Sequence, residues 1–405
     1  MLREHVMYIQ PEQTATRSST SMKEQLDECL HSIKKSLADS RLETRDVLKQ
    51  TVFLNSANNN EFYALKKELS TGLKDFYRSS YPPTGFIGQP PVGGALIAFE
   101  LVIISQRDDR IVISRKELDG ITYTTVNYPD HRKVYAAGIT PGENAAGTLQ
   151  QSKDAFGLMK RILEKENMDF SHIIRQWNYI ENITGKITNK DETRQNYQVF
   201  NDIRSLYYGE VDFKRGYPAA TGIGMECGGV VLDFIAAGVS SDITVIPVKN
   251  PGQVDAHRYS QDVLVGRAIH ADQLKSAPKF ERAKAIANND SCYIYISGTA
   301  AIQGQKTQYP TDVEKQTRVT IENISRLISP DNLEKHRLPV SSSELPFSYI
   351  RVYVKDETDL PTVKKVCDEY FEEVPSLYLV SDICREDLLV EIEGAIHLPK
   401  SPSGS

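Results

Sequence analysis

The sequence predicts a mixed α/β protein built from three copies of one unit. Two observations carry this. The segment Tyr217-Pro-Ala-Ala-Thr-Gly-Ile-Gly224, followed by Gly228-Gly229 and an apolar run over 230–237, has an earlier partner. That partner is Tyr81-Pro-Pro-Thr-Gly-Phe-Ile-Gly88, followed by Gly93-Gly94 and a run over 95–102, with Phe99 and Phe234 in register. Second, one order of elements (extended, helix, strand, helix, strand) recurs three times, and the closing strand returns as Leu388-Leu-Val-Glu-Ile-Glu-Gly394.

In copy one, an extended start at 6–9 leads to a helix-period stretch over 22–38 and an alternating run over 48–54. An amphipathic stretch over 61–77 then precedes the Tyr-Pro loop and final strand. Copy two repeats this at 133–139, 151–166, 173–180, 197–208 and 217–237. Copy three does so at 292–301, 312–328, 349–355, 360–374 and 377–396. The expected division is a divergent unit at 1–120, a second at 121–245, a connecting segment with pocket motifs at 246–290, and a third unit at 291–400.

With 405 residues, 40% apolar and 25% charged, the chain is globular and long enough for two or three cores. A net charge of -6 without a basic run argues against nucleic acid as the main partner. No apolar run of about 18 residues occurs, so no membrane association and a cytoplasmic location are expected. Five cysteines without a Cys-x-x-Cys pair suit a reducing compartment.

Walker loops, Gly-x-Ser-x-Gly elbows, His-Glu-x-x-His and clustered Cys/His ligands do not occur, so neither metal nor organic cofactor is expected. Thr221-Gly-Ile-Gly224 is half of a dinucleotide fingerprint, but it precedes a strand instead of opening a helix and reads as a turn. Among the histidines only His257, in Asn250-Pro-Gly-Gln-Val-Asp-Ala-His-Arg-Tyr259, lies in a site-like segment.

The element order and the closing Val390-Glu-Ile-Glu393 strand resemble the RidA (YjgF-type) superfamily, whose small subunits form trimers with active sites between neighbours. The resemblance implies a pseudo-trimer within one chain, able to exist as a monomer. Copies two and three resemble one branch of it, the chorismatases. The matching stretches are Arg175-Gln-Trp-Asn-Tyr179, Tyr217 to Gly224, Asn250-Pro251 with Ala256-His257, and Phe280-Glu-Arg-Ala283. Ile296-Ser-Gly-Thr-Ala300 and Asp382-Ile-Cys-Arg-Glu-Asp-Leu-Leu-Val-Glu-Ile-Glu-Gly394 complete them, in family order.

Chorismatases cleave the enolpyruvyl ether of chorismate, giving pyruvate with either a dihydroxylated cyclohexadiene acid or a hydroxybenzoate. A small dianionic substrate of this kind needs fixed cations, preferably arginines. The resemblance implies Arg204 and Arg282 for that role, with Tyr217, Thr221 and Tyr179 completing the substrate-binding set. Protonating a vinyl ether needs an acid still protonated near neutral pH, and Glu391 matches the family glutamate. Residue type alone would make Glu391-Ile-Glu393 an ordinary polar strand face. Gly298 and Cys384 resemble the pair of hydroxybenzoate-forming members. The positions aligned with Glu391 in the other copies are Asp233 and Ala98, of which the aspartate is unexpected.

Several positions depart from the family. Gly304-Gln305 stands where a Gly-His precedes Thr307, and Gln198 replaces an arginine. The stretch 260–278, with Arg267 and His270, replaces a Tyr-Gly-Pro-Arg loop. The expected function is therefore chorismatase-like, of the 3-hydroxybenzoate-forming type. The alternatives are a RidA-like imine or enamine deaminase and a non-catalytic small-acid binding protein.

Overall fold

The computed structural model describes residues 4–12, 21–104, 108, 110–141, 147–189, 192–240, 242–268, 274–288, 291–338 and 347–399. His270 lies outside them. The first unit runs β1 (Glu4–Ile9), α1 (Met22–Asp39), β2 (Val47–Leu54), α2 (Asn59–Tyr77), β3 (Thr84–Ile87) and β4 (Ile97–Ile104). Its sheet has the order β1-β4-β2-β3. Ser21 caps α1 in a reciprocal box with Glu24, and Asn58 caps α2, so both helices begin where a side chain satisfies the free N–H groups. Strands β2 and β4 are buried along their whole length because both sheet faces are covered.

The second unit comprises β5 (Val112–Leu118), β6 (Ile121–Asn127), β7 (His131–Ile139), α3 (Gly147–Lys165) and β8 (Ile173–Glu181). It continues through a small hairpin, β9 (Lys186–Asn189) and β10 (Glu192–Gln195), to α4 (Asn196–Tyr208), β11 (Ala219–Met225) and β12 (Val230–Val239). The third comprises β13 (Thr244–Val248), β14 (Ala283–Ala287), β15 (Ser291–Ala300), β16 (Ile302–Gln303), β17 (Lys306–Thr307), α5 (Val313–Leu327) and α6 (Pro330–Lys335). It closes with β18 (Phe347–Val354), α7 (Leu360–Tyr370), β19 (Ser376–Val380) and β20 (Val390–Pro399).

The larger sheets have the orders β11-β8-β12-β7-β6-β5 and β19-β18-β20-β15-β14-β13. Each is the first unit's sheet with a hairpin added beyond its first strand. Both hairpins shift the expected divisions. The break at 120 falls in the β5–β6 turn, and the supposed connector 246–290 supplies β13 and β14, two strands of the third sheet. These strands lie outside the repeated core, so the repeat pattern did not reveal their attachment.

Each unit buries its helices on one sheet face in a core of its own. The opposite faces meet in a shared cluster that includes Phe53, Tyr179 and Tyr353, one aromatic from the second strand of each unit. Among the described residues no helix is long and apolar enough to cross a membrane.

Backbone hydrogen bonds fix how the copies correspond. Asn55 N donates to Leu96 O, Glu181 N to Gly229 O, and Lys355 N to Leu389 O, each at or one residue past the end of β2, β8 and β18 respectively. Counting onward, Glu391 corresponds to Val231 and Ala98. The position two residues later carries Glu100, Asp233 and Glu393, which face Thr51, Trp177 and Arg351 across the ladder. The expected pairing of Asp233 with Glu391 is therefore corrected, as is that of Phe99 with Phe234. Copy one has two extra residues, Ala95 and Leu96, between its Gly-Gly pair and its strand, which displaced the alignment.

Candidate active site

The three acids at the repeated position are all buried, and each is neutralised from another unit. Lys49 Nζ lies 2.8 Å from Asp233 Oδ2, and Arg175 Nη2 lies 2.8 Å from Glu393 Oε2. Arg351 pairs with Glu100. Glu393 also accepts from Trp177 Nε1 at 2.8 Å and from the Thr221 hydroxyl. Arg175 and Arg351 together hold its carboxyl below its ordinary range against the opposing effect of burial.

Glu391 has no such partner. It is 4% exposed, and no hydrogen bond or ion pair joins its carboxyl to the described residues. Burial, reinforced by the charge of Glu393, pushes it up to about 8, while Arg175 and Arg282 pull the other way. The neutral form of Glu391 is thus favoured at neutral pH.

This acid opens into a cleft of about 690 Å³, solvent at its mouth included, walled by α4 and β11 of the second unit and by β15 and β20 of the third. Gly298 sits at a bulge where the β15–β20 register shifts between Ile296 and Thr299. A Cβ there would lie 2.0 Å from Glu391 Oε1, so only glycine leaves the carboxyl its place. The Gly298 N–H donates to Thr221 Oγ1 at 3.0 Å. Cys384 also lines the cleft; burial and Glu391 push its thiol up to about 12, which makes it a neutral packing group and no nucleophile.

The structure brings Glu391, Gly298, Cys384 and Arg282 to one cavity. Arg282 Nη2 donates to Tyr259 Oη at 2.7 Å and Val254 O at 2.8 Å, and its buried Nε has no hydrogen-bond partner among the described residues. The other four expected residues do not line the cleft. Thr221 lies behind its wall, accepting from Arg175 Nη2 at 2.7 Å. Arg204 is buried one step back, donating to Asn201 Oδ1 at 2.5 Å. Tyr217 packs among Tyr208, Phe213 and His257. Tyr179 is in the shared core, accepting from Arg351 Nη1 at 2.9 Å.

Sequence reasoning missed Tyr197, Asn201, Tyr259 and Arg385, which line the cavity. A signal existed for each: Tyr197 and Asn201 share one face of α4 at i, i+4, and the other two lie within motif stretches. The departures from the family pattern act as clasps. Gln305 accepts from Ser260 N at 3.0 Å and donates to Ser260 Oγ at 2.9 Å. Gln198 donates to Asp202 Oδ1 at 2.8 Å and Ser276 O at 3.0 Å, so the two glutamines hold opposite ends of the 260–278 stretch beside the cleft. Among the described residues no group of His, Cys, Asp and Glu is arranged to hold a metal.

Residues 113–236 match the family model "Chorismatase FkbO/Hyg5-like, N-terminal". Over 290 residues the chain is 31% identical to a 3-hydroxybenzoate synthase of Streptomyces hygroscopicus, across 69% of this chain and 77% of that protein. The chain belongs to the chorismatase family. A chorismatase of Streptomyces rapamycinicus is likewise 31% identical over 281 residues, with the same coverage. The crystal structure of a chorismatase superposes with a TM-score of 0.66 at 21% identity, covering 97% of this chain and 98% of that one. The chain therefore has that fold over nearly its whole length, including the first unit, which precedes the family-model match. Gly298, Cys384 and Glu391 lie beyond the matched residues.

Proposed function

We propose that this protein protonates and cleaves the enolpyruvyl ether of chorismate, releasing pyruvate and 3-hydroxybenzoate. The observation that carries the proposal is the neutral, unpartnered Glu391 in a cleft that also presents Arg282 and Arg385. Two cations suit a dicarboxylate, and an acid near pH 8 can donate to a weakly basic methylene carbon. Proton transfer from Glu391 turns the methylene into a methyl group and the ether carbon into a cation. The neighbouring ring hydroxyl oxygen then attacks the ring carbon bearing the ether. That C–O bond breaks toward the side chain, whose oxygen becomes the pyruvate carbonyl. The hydroxyl proton restores Glu391, and opening of the three-membered ring with aromatisation gives 3-hydroxybenzoate.

Net, chorismate divides into pyruvate and 3-hydroxybenzoate without consuming water, whereas the dihydroxylated acid requires one water. Gly298 and Cys384 act as the product-directing pair. The deaminase alternative needs a carboxylate to activate water, for which a protonated Glu391 is the wrong state.

The chain is read as three RidA-like units about a pseudo-threefold axis, dividing before β5 and before β13. The repeated sheet order supports this, as do the ion pairs Lys49–Asp233, Arg175–Glu393 and Arg351–Glu100, each running from one unit to the next. Among the described residues only the interface of the second and third units carries an additional acid at the position held elsewhere by Ala98 and Val231, so one site per chain follows. Incubating the wild type and Glu391→Gln with chorismate and measuring pyruvate tests the proposal. Release by the wild type and not by the variant is expected; equal release by both refutes the role of Glu391.

A further inference from the structure

The mechanism leaves Glu393 without a task, although it is the most heavily bonded carboxylate near the site. It is 0% exposed and holds Arg175, Trp177, Thr221 and Arg351 at once. Its counterparts Glu100 and Asp233 are buried ion-pair partners that tie units together, at interfaces where the third unit's additional glutamate is replaced by Ala98 and Val231.

We propose that Glu393 is a positioning residue for the acid step: by engaging Arg175 and fixing its own charge two residues away, it leaves Glu391 without a cation and keeps the proton there. This rests on the reading of Glu391 as the acid. The charged and titratable groups that share the cleft with Glu391 or act on it from behind its wall all fit: Arg385, ahead of β20, donates its Nη1 to Gln305 O at 2.9 Å, and Tyr259 accepts from Arg282. On its own strand there is Glu393. From β8 comes Arg175, whose Nη2 is bound to Glu393 and Thr221. From the stretch leading into β14 comes Arg282, turned to Tyr259 and Val254. Tyr197 on α4 and Cys384 before β20 are neutral, with burial pushing both upward.

Thr221 links the parts. Its hydroxyl accepts from Arg175 and from the Gly298 N–H, so its one proton goes to Glu393. The same contact fixes the glycine that leaves room for Glu391. Removing the charge at 393 acts twice in one direction, because a repelling carboxylate disappears and Arg175 loses its counter-ion. Both changes favour ionised Glu391.

The test is infrared titration of the protonated-carboxyl band, as the difference between each protein and its Glu391→Gln version, alongside the pH dependence of kcat. In Glu393→Gln the midpoint for residue 391 should fall by about one unit or more, and the alkaline limb of kcat should fall with it. Glu393→Asp, which keeps the charge, should restore most of the shift. An unchanged midpoint in folded Glu393→Gln overturns the proposal. Should that variant not fold, Glu391→Gln decides alone. At pH 7 it must show no buried protonated carboxyl from residue 393, and finding one there overturns the proposal. The infrared midpoint is independent of turnover, so an active Glu391→Gln would refute the acid role while leaving the positioning measurement readable.

Discussion

Glu391 and Glu393 lie two residues apart on β20, both buried, yet only Glu393 is held by an arginine, Arg175 at 2.8 Å. One strand thus carries an ionised carboxylate and a neutral acid side by side. The environments separate their proton affinities: a dense set of donors around one, burial beside a like charge for the other.

Glu391→Gln keeps size and polarity but cannot give a proton. A fall in kcat of about 10²–10⁴ is expected, with the fold intact by circular dichroism. Turnover within a few-fold of the wild type would remove Glu391 from the chemistry.

Stability should also report on this group. Folded Glu391 keeps its proton up to about 8, whereas the unfolded chain releases it near the ordinary 4.5. Its stabilising contribution is fully present below about 4.5 and is lost as pH rises through about 8. The melting temperature of the wild type should decline relative to Glu391→Gln across that window. Parallel curves for the two proteins would show that residue 391 does not titrate differently on folding.

Asp233 should matter for folding and little for chemistry, because it neutralises buried Lys49 at 2.8 Å where the first two units pack together. Asp233→Asn leaves that ammonium buried beside a neutral amide and should cost about 3–5 kcal/mol in urea unfolding. The folded fraction should retain its kcat. A variant of normal stability and lost activity would place Asp233 in a site after all.

Gly298→Ala pushes a methyl to within 2.0 Å of where Glu391 Oε1 now sits, so the carboxyl must move. Combined with Cys384→Ala, it should slow turnover and shift product from 3-hydroxybenzoate toward the dihydroxylated cyclohexadiene acid. Product ratios by chromatography decide this. An unchanged ratio would separate these two residues from product choice.

The repeat was legible because it rests on short-range signals, namely Tyr-Pro and Gly-Gly turns and periods of helix and strand. The clustering of Glu391, Gly298, Cys384 and Arg282 was legible only through motif resemblance, since a strand glutamate by itself signals a polar face. The sequence did not show which acids are paired. Lys49 and Asp233 are far apart in the chain, and a two-residue insertion at Ala95-Leu96 put Asp233 opposite the wrong glutamate. Tyr179 and Thr221 sit in genuine motif stretches, yet strand alternation and sheet packing turn them away from the cavity, which no local pattern reveals.

The most direct test of the account is a product balance for chorismate incubated with the purified chain. Equal amounts of pyruvate and 3-hydroxybenzoate are expected, with no oxygen from labelled water in the aromatic product. Absence of pyruvate, or pyruvate accompanied only by the dihydroxylated acid, would contradict it.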